Sequence, residues 1–468
     1  MNYFSICFLS LLVLFLNEAV GINVSVLEYF PILPPHQNAK TVEEATTIQL
    51  TNLDEISNLI SADKTSKVLV TPEYGLYGAS INKWETMSLY CMPMAIHSTP
   101  FKDPQAHPVL QRASELAVDH NRHIVFNMCE KEEDKQYSTL VMFDKTGKLI
   151  EKYHKTHLYR EDQIFTPGSG VPKFVDIDGI RYGLLICFDI MFSKPLHQLV
   201  HEHHIDVLLF SSFWVNFSPL ITGLPTQQAA SLFYGIPILS SNSGFSYRTS
   251  GSSIIDHSGV ALSTTFNPSL SIQNHLIQAN LPLEKHHSRV STTLPTRLST
   301  ARERQLVNKV ILLSTKSVQF HDTVSIDSSV SCHFDVDVSH NVDSNPVYLT
   351  VFAMSGQSLG LRSGFVCGLF YCGSNATFCS EELDMRKTSI LDSPLSFSKL
   401  NVKGSMHSSS SSFISHYPLV SGSQSKLFNP LSQFSYNASS FSSSSFQFDF
   451  SLRESLPLLS TTFVVLDE

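Results

Sequence analysis

Over the first 290 positions, apolar residues alternate between two patterns: short runs, and residues at helical spacing. Asn23 to Phe30 has β-branched residues at alternate places and predicts a strand, closed by Pro31 and Pro34-Pro35. Thr41 to Ala62 carries Leu50, Leu53, Ile56, Leu59 and Ile60 at helical spacing, and Lys67 to Glu73 returns to a short buried strand ending in a turn. Strand, helix and strand within this length make a βα unit. The pattern recurs. Val109 to Asn121 predicts a helix and His123 to Cys129 a strand, and Tyr137 to Asp144 faces Leu149 to His154 across Lys145-Thr-Gly-Lys148 as a hairpin. Tyr182 to Ile186 is long enough for a buried strand and too short for a typical helix. A helix over Pro195 to His204, a strand over Val207 to Ser211 and a helix near Thr226 to Tyr234 follow, then strands at Pro237 to Ser241, Gly251 to Asp256 and Asn274 to Asn280. Together these predict an α/β domain over residues 22–290.

Past Arg289 the helical spacing stops. Ile311 to Phe320, Val330 to Val338 and Val347 to Phe352 predict strands without intervening helices, hence a smaller, mostly-β domain over residues 300–404. From Ser405 the chain turns Ser-rich, with runs at Ser408 to Ser412 and Ser442 to Ser445. Residues 405–468 are therefore expected to be loosely structured or O-glycosylated, or else long surface loops. Two domains suit a chain of 468 residues. The net charge of −9 comes with no sustained basic stretch, which argues against nucleic acid or an anionic membrane surface as partner.

Residues 1–21 read as a secretory leader, with Leu9 to Leu16 as its apolar core and Ala19-Val20-Gly21 as the small-residue cleavage site. Export would place the mature chain in an oxidising compartment, extracellular and without a membrane span. The end of the chain carries no apolar run of lipid-anchor length. Asn23, Asn216, Asn375 and Asn437 are glycosylation sequons, whereas Asn267 precedes Pro and is not. Of eight Cys, Cys7 lies in the leader, and setting Cys187 aside leaves six that can all pair: Cys91, Cys129, Cys332, Cys367, Cys372 and Cys379. The last four allow three connectivities. Their spacing is not a recognised zinc pattern, so disulfides are favoured over metal.

Three stretches place a reactive group at or just past a predicted strand end. They are Thr71-Pro-Glu-Tyr-Gly-Leu-Tyr-Gly78, Tyr153-His-Lys-Thr-His-Leu-Tyr-Arg-Glu161 and Leu185-Ile-Cys-Phe-Asp189. A carboxylate, an ammonium and a thiol gathered at one sheet edge form an acyl-transfer apparatus. The thiol of Cys187 ionises above neutral pH and needs a base or a cation beside it. Glu73 can take its proton and return it to a leaving amine, while Lys155 and a backbone N–H such as that of Phe188 hold the developing oxyanion. Other chemistries fare worse. His197, His201, His203 and His204 lack the His-Glu-x-x-His spacing, Pro167-Gly-Ser-Gly170 lacks Gly-x-Ser-x-Gly, and no Gly-rich phosphate loop occurs. No metal or other cofactor is implied.

In this order the three motifs resemble the Glu-Lys-Cys triad of the nitrilase superfamily of carbon–nitrogen hydrolases, in its secreted biotinidase and vanin (pantetheinase) branch. Pro-Glu-x-x-x-Tyr-Gly (72–78), Tyr-His-Lys (153–155), Cys-Phe-Asp-Ile-x-Phe (187–192) and Phe213-Trp-Val-Asn-Phe-Ser-Pro219 carry the resemblance, with the Cys-containing β domain after residue 300. It implies an α-β-β-α sandwich for the first domain, with Cys187 as nucleophile, Glu73 as base and Lys155 as oxyanion stabiliser. It also implies a second glutamate near the lysine, Glu161, with Asp162 as competitor under a one-residue shift. Tyr74, Trp214 and Phe217 are candidates to line the acyl pocket, and Tyr74 stands where the branch usually has an acidic residue. Asn216 then falls beside the active site, which leaves Asn23, Asn375 and Asn437 as the glycosylation candidates. The activity implied is hydrolysis of the linear amide of pantetheine to pantothenate and cysteamine, with biotin amides as the near alternative. A catalytically silent secreted binding protein is the reading from a different class.

Overall fold

The computed structural model describes residues 21–34, 38–216, 222–246, 248–267, 269 and 271–283. In the second half it describes 305–326, 330–341, 347–357, 363–373, 395–407, 413–421, 433–442, 445–454, 458 and 460–467. All of the leader expected at the start but Gly21, which opens the first strand, lies outside the described residues, as do Asn375, Cys379 and Phe217.

The first half is two six-stranded sheets packed face to face. In chain order its elements are β1 (Gly21–Glu28), α1 (Val42–Ile60), β2 (Val68–Val70), α2 (Pro108–Asp119), β3 (His123–Glu132), β4 (Lys135–Phe143) and β5 (Leu149–His154). Then come β6 (Phe174–Ile177), β7 (Ile180–Ile186), α3 (Ser193–His201), β8 (Val207–Ser211), α4 (Gly223–Tyr234), β9 (Ile238–Ser241), β10 (Ser252–Ile255), β11 (Ala261–Thr265) and β12 (His275–Pro282). One sheet runs β12-β1-β2-β3-β4-β5, the other β11-β10-β9-β8-β7-β6. Each has three parallel strands at its heart, β1-β2-β3 and β7-β8-β9, as strand–helix–strand connections require.

Strand alternation sorts the core into layers. Leu27, Leu69, Ile124 and Phe126 pack with Leu53, Ile56, Leu110 and Leu116 of α1 and α2. Their neighbours Val26, Val70 and Val125 face the other way and join Leu184, Ile186 and Leu209 of the second sheet. Leu196, Leu199, Ala229 and Ala230 of α3 and α4 cover that sheet's outer side. This is the α-β-β-α order implied by the resemblance. Gly183 makes room for it, since a Cβ there would lie 2.7 Å from the Ile205 side chain.

The second half is all antiparallel: β13 (Gln305–Leu313), β14 (Ser317–Ile326), β15 (Val330–His340), β16 (Val347–Gln357), β17 (Ser363–Gly373), β18 (Leu395–His407), β19 (Phe413–Ser421), β20 (Phe434–Ser442), β21 (Ser445–Leu452) and β22 (Ser460–Asp467). They form two five-stranded sheets, β13-β16-β17-β22-β19 and β14-β15-β18-β21-β20. Cys332 on β15 and Cys367 on β17 are disulfide-bonded across them. The single strand expected over Ile311 to Phe320 is two, split at the polar Ser314-Thr315-Lys316. The boundary expected at residue 404 falls inside β18, and the Ser-rich stretch beyond it supplies β19 to β22. Serine is compatible with a half-exposed sheet face, so composition alone concealed these strands.

Glu28, at the end of β1, is buried and carries a network that closes the second sheet against the first. Its carboxylate accepts from Ser250 Oγ at 3.0 Å, Gly251 N–H at 2.9 Å and Ser252 Oγ at 3.0 Å. Burial pushes its pKa up from 4.5 to about 7, against those hydrogen bonds. The folded chain therefore binds this proton more tightly than the unfolded chain does. The associated stability is present below pH 4.5 and lost as pH rises through about 7. The loss is expected to be on the order of 3 kcal/mol. Glu28→Gln, which takes no charge, should flatten that decline in urea midpoints measured across the window, and an unchanged slope would contradict it.

Candidate active site

Four strand ends converge on one buried spot. Glu73 lies three residues past β2, on a turn whose next residue, Tyr74, has φ +61°. Thr71 fixes the turn by its N–H and hydroxyl, both donating to Val125 O. Lys155 follows β5 directly and is held by its N–H to Ser138 O at 2.9 Å. Cys187 follows β7 and opens a 3-10 turn, Cys187–Met191, with φ +43°, a left-handed backbone costly for any residue but Gly. Phe213 lies two residues past β8. For β2, β7 and β8 these are carboxyl ends of parallel strands, where open α/β sheets form their crevices.

The Lys155 Nζ is 2.8 Å from Glu73 Oε1 and 2.6 Å from Glu161 Oε2. The second Glu73 oxygen accepts the Phe213 N–H at 3.0 Å, and the buried Cys187 thiol feels the charges of both Glu73 and Lys155. Lys155 and Glu73 are each 1% exposed, Cys187 7% and Glu161 8%. Asp162, the competitor of Glu161, is exposed.

Electrostatics assign the resting protons. Burial alone would lower the Lys155 pKa, but Glu161, Glu73 and the thiol outweigh it and hold the ammonium charged. Burial raises Glu73, with Lys155 opposing. Burial and then the Glu73 charge push the Cys187 thiol well up, again against Lys155. A thiol held up in this way needs a base nearby to ionise.

The remaining candidates fall around this centre. Tyr74 is buried, and its hydroxyl donates to Glu161 Oε1, so its polar end braces the second carboxylate. Its ring stands edge-on to Phe213 and Tyr77. Phe188 packs edge-on against Tyr159 and Phe192. Trp214 is buried; its backbone N–H binds Asn242 Oδ1 at 2.8 Å, and its indole N–H has no partner among the described residues. Asn216 is half-buried and holds Ser250 O and Gly223 N–H. Asn23 is exposed on β1, and Asn437 lies on β20. Cys91 pairs with Cys129, Cys372 is also disulfide-bonded, and Cys187 is the free cysteine among the described residues.

Two supports escaped the motif reading. Asn127 accepts the Tyr74 N–H at 3.1 Å and donates to Ser138 Oγ at 3.0 Å, tying the Glu73 turn to the residue of β4 whose carbonyl holds the Lys155 N–H. An Asn amid an apolar strand gave no signal beyond its polarity. The Phe213 N–H is a backbone group that any residue would supply. Glu130, Glu132 and His154 bring ligand-type atoms within 4.8 Å of one another. The Lys152 ammonium already bridges the two carboxylates, so their charge is met without a metal.

Removing the shared cation tests this electrostatic picture. Lys155→Met leaves two carboxylates buried without a counter-ion and is expected to lower unfolding free energy by about 3–5 kcal/mol. Urea denaturation followed by circular dichroism reads this, and a loss below about 1 kcal/mol would contradict it.

A family model described as carbon-nitrogen hydrolase matches residues 36–279, and one for the vanin C-terminal domain matches residues 262–464. Human pantetheine hydrolase VNN2 is 30% identical over 261 residues, covering 51% of this chain and 50% of that protein. Pantetheinase of Canis lupus familiaris is 32% identical over 223 residues, 43% of each chain. Human biotinidase is 26% identical over 226 residues, 43% of this chain and 41% of that protein. The matched region spans about half or less of the length of these curated relatives. Among solved structures, an amidase from Nesterenkonia sp. aligns with a TM-score of 0.44 and 17% identity, covering 57% of this chain and 92% of that one.

Proposed function

The chain belongs to the carbon–nitrogen hydrolase family and carries a vanin C-terminal domain, and from that membership we propose that it is an amidohydrolase acting on a linear, non-peptide carbon–nitrogen bond through a cysteine thioester. The observation that carries the proposal is the buried Lys155 ammonium between Glu73 and Glu161, with the buried free thiol of Cys187 within the field of both Glu73 and Lys155.

In this reading Glu73 takes the Cys187 proton as sulfur attacks the amide carbonyl. Lys155 and the Phe188 N–H hold the oxygen that gains the charge, and Glu161 fixes the lysine. Collapse of the tetrahedral intermediate expels the amine, which leaves with the proton from Glu73, and the acyl group stays on sulfur. Glu73 then deprotonates a water that attacks the thioester, releasing the acid and restoring the thiol.

The substrate proposed is pantetheine, cleaved to pantothenate and cysteamine, since relatives named pantetheinase match at 29–32% identity. Relatives named biotinidase match at 25–26% and support biotin amides as the second reading. We place the enzyme outside the cell, a proposal supported by the disulfides Cys91–Cys129 and Cys332–Cys367. Among the described residues no helix is long and apolar enough to cross a membrane.

Pantetheine and biocytin offered to the purified chain should give a kcat/KM at least about 10-fold higher for pantetheine, a gap that one lost pocket contact would produce. The reverse order would favour the second reading. Cys187→Ala should reduce hydrolysis by about 10⁴-fold or more while leaving the fold intact. Turnover near the parent's would end the assignment of the nucleophile.

A further inference from the structure

Asp189 takes no part in the chemistry above, yet it is fully buried two residues past Cys187 in the same turn. Its Oδ1 accepts the His157 N–H at 2.7 Å, and its Oδ2 accepts the Tyr153 hydroxyl at 2.8 Å and the Thr156 N–H at 3.4 Å. These donors lie two residues before Lys155 and one and two residues after it. One carboxylate on the nucleophile's turn thus grips the chain on both sides of the lysine.

The grip matters because the two groups belong to different sheets. Lys155 follows β5 of the first sheet, and its backbone is tied to Ser138 O and the Gly168 N–H. Cys187 follows β7 of the second. Asp189 crosses between them, and the contact continues outward: the His157 ring stacks on Phe192 at 3.7 Å, and His157 Nε2 lies 2.8 Å from Lys194 O. A buried carboxylate is a costly way to satisfy two amides and a hydroxyl, since an apolar residue of similar size asks for no such donors. Burial holds its pKa up at about 7, against the His157 N–H, the Tyr153 hydroxyl and Lys155.

We infer that Asp189 is a positioning residue: through Tyr153, Thr156 and His157 it fixes the Lys155 ammonium relative to the Cys187 sulfur. The inference rests on reading Lys155 and Cys187 as oxyanion-binding cation and nucleophile. Shifts of about 1 Å in such a pair cost on the order of 10²-fold in rate.

The test compares the full chain with Asp189→Asn, Tyr153→Phe and the double variant. Two readouts are taken: kcat and KM for amide hydrolysis, and the rate at which iodoacetamide alkylates Cys187, followed by mass spectrometry of its peptide. Asp189→Asn is expected to lower kcat by about 10–100-fold with KM within about two-fold, and to slow alkylation, because the lysine no longer sits where it favours the thiolate. Tyr153→Phe removes one of the three donors and should show a smaller loss in the same direction. The double variant should be no worse than Asp189→Asn alone, since both act through one contact. Parental kcat and alkylation rate in Asp189→Asn, with only its melting point lowered, would overturn the inference, as would losses that simply multiply in the double variant. Should Asp189→Asn not fold, Tyr153→Phe decides: an unchanged kcat and alkylation rate overturns it. If the parent hydrolyses no amide, the proposed function fails, while the alkylation comparison still decides the clamp.

Discussion

The structure of the first domain is organised by one ammonium held between two carboxylates out of reach of water. Lys155 is 1% exposed and touches Glu73 and Glu161 at 2.8 and 2.6 Å. At an effective dielectric of about 20, each contact is an attraction of about 6 kcal/mol. Burying each of the three ions costs several kcal/mol, and the two carboxylates repel each other. The sum leaves little surplus, so the cluster is a poor source of stability. What it does instead is constrain: the lysine cannot be displaced without stranding two buried charges. That constraint requires the ends of β2 and β5 to meet, and it keeps a permanent positive charge beside the Cys187 sulfur.

The sheets explain how such distant residues arrive together. Glu73, Cys187 and Phe213 sit past the carboxyl ends of parallel strands, and the face-to-face packing of two similar sheets brings two such edges to one place. Links between the sheets then do the fine placement. Ser211 Oγ donates to Thr71 O at 2.8 Å, Phe213 N–H to Glu73, and Asp189 receives the donors around Lys155. The second domain contributes none of the described groups at this centre. Its sheets are joined by the Cys332–Cys367 bridge, its buried apolar residues are continuous with the core of the first domain, and β19 lies against α4.

This division decides what could be read from the chain itself. The first domain was legible because its strands are nearly continuous apolar runs and its helices have one apolar face, two periods that differ sharply. The reactive residues stood out because each interrupts or follows such a run. The bracing groups did not. Asn127 is one polar residue inside a strand, Phe213 acts through its backbone, and Asp189 lay in a quoted motif with nothing to say that its partners flank Lys155. In the second domain, β20 and β21 set polar residues between aromatic ones inside a Ser-rich stretch, and the serine content masked the strand pattern. For β19, β21 and β22, pairing with strands far along the chain builds them into the sheets.

The unfavourable features of the site share one logic. A non-glycine residue at φ +43°, a thiol pushed up by burial and three ions of unequal sign are each destabilising in isolation. Each also suits the role proposed for Cys187: a backbone that aims it off the strand end, a proton kept until a base removes it, and a fixed cation for the charge that would form on the carbonyl oxygen. A sulfur with a strongly lowered pKa would already be ionised at rest, but intrinsic nucleophilicity falls with pKa. In the proposed reaction, keeping the proton on sulfur would retain the stronger nucleophile, at the cost of moving one proton in each turnover. The large apolar core of the sandwich offsets that local strain, which is why a centre this unfavourable sits where two sheets and four layers converge.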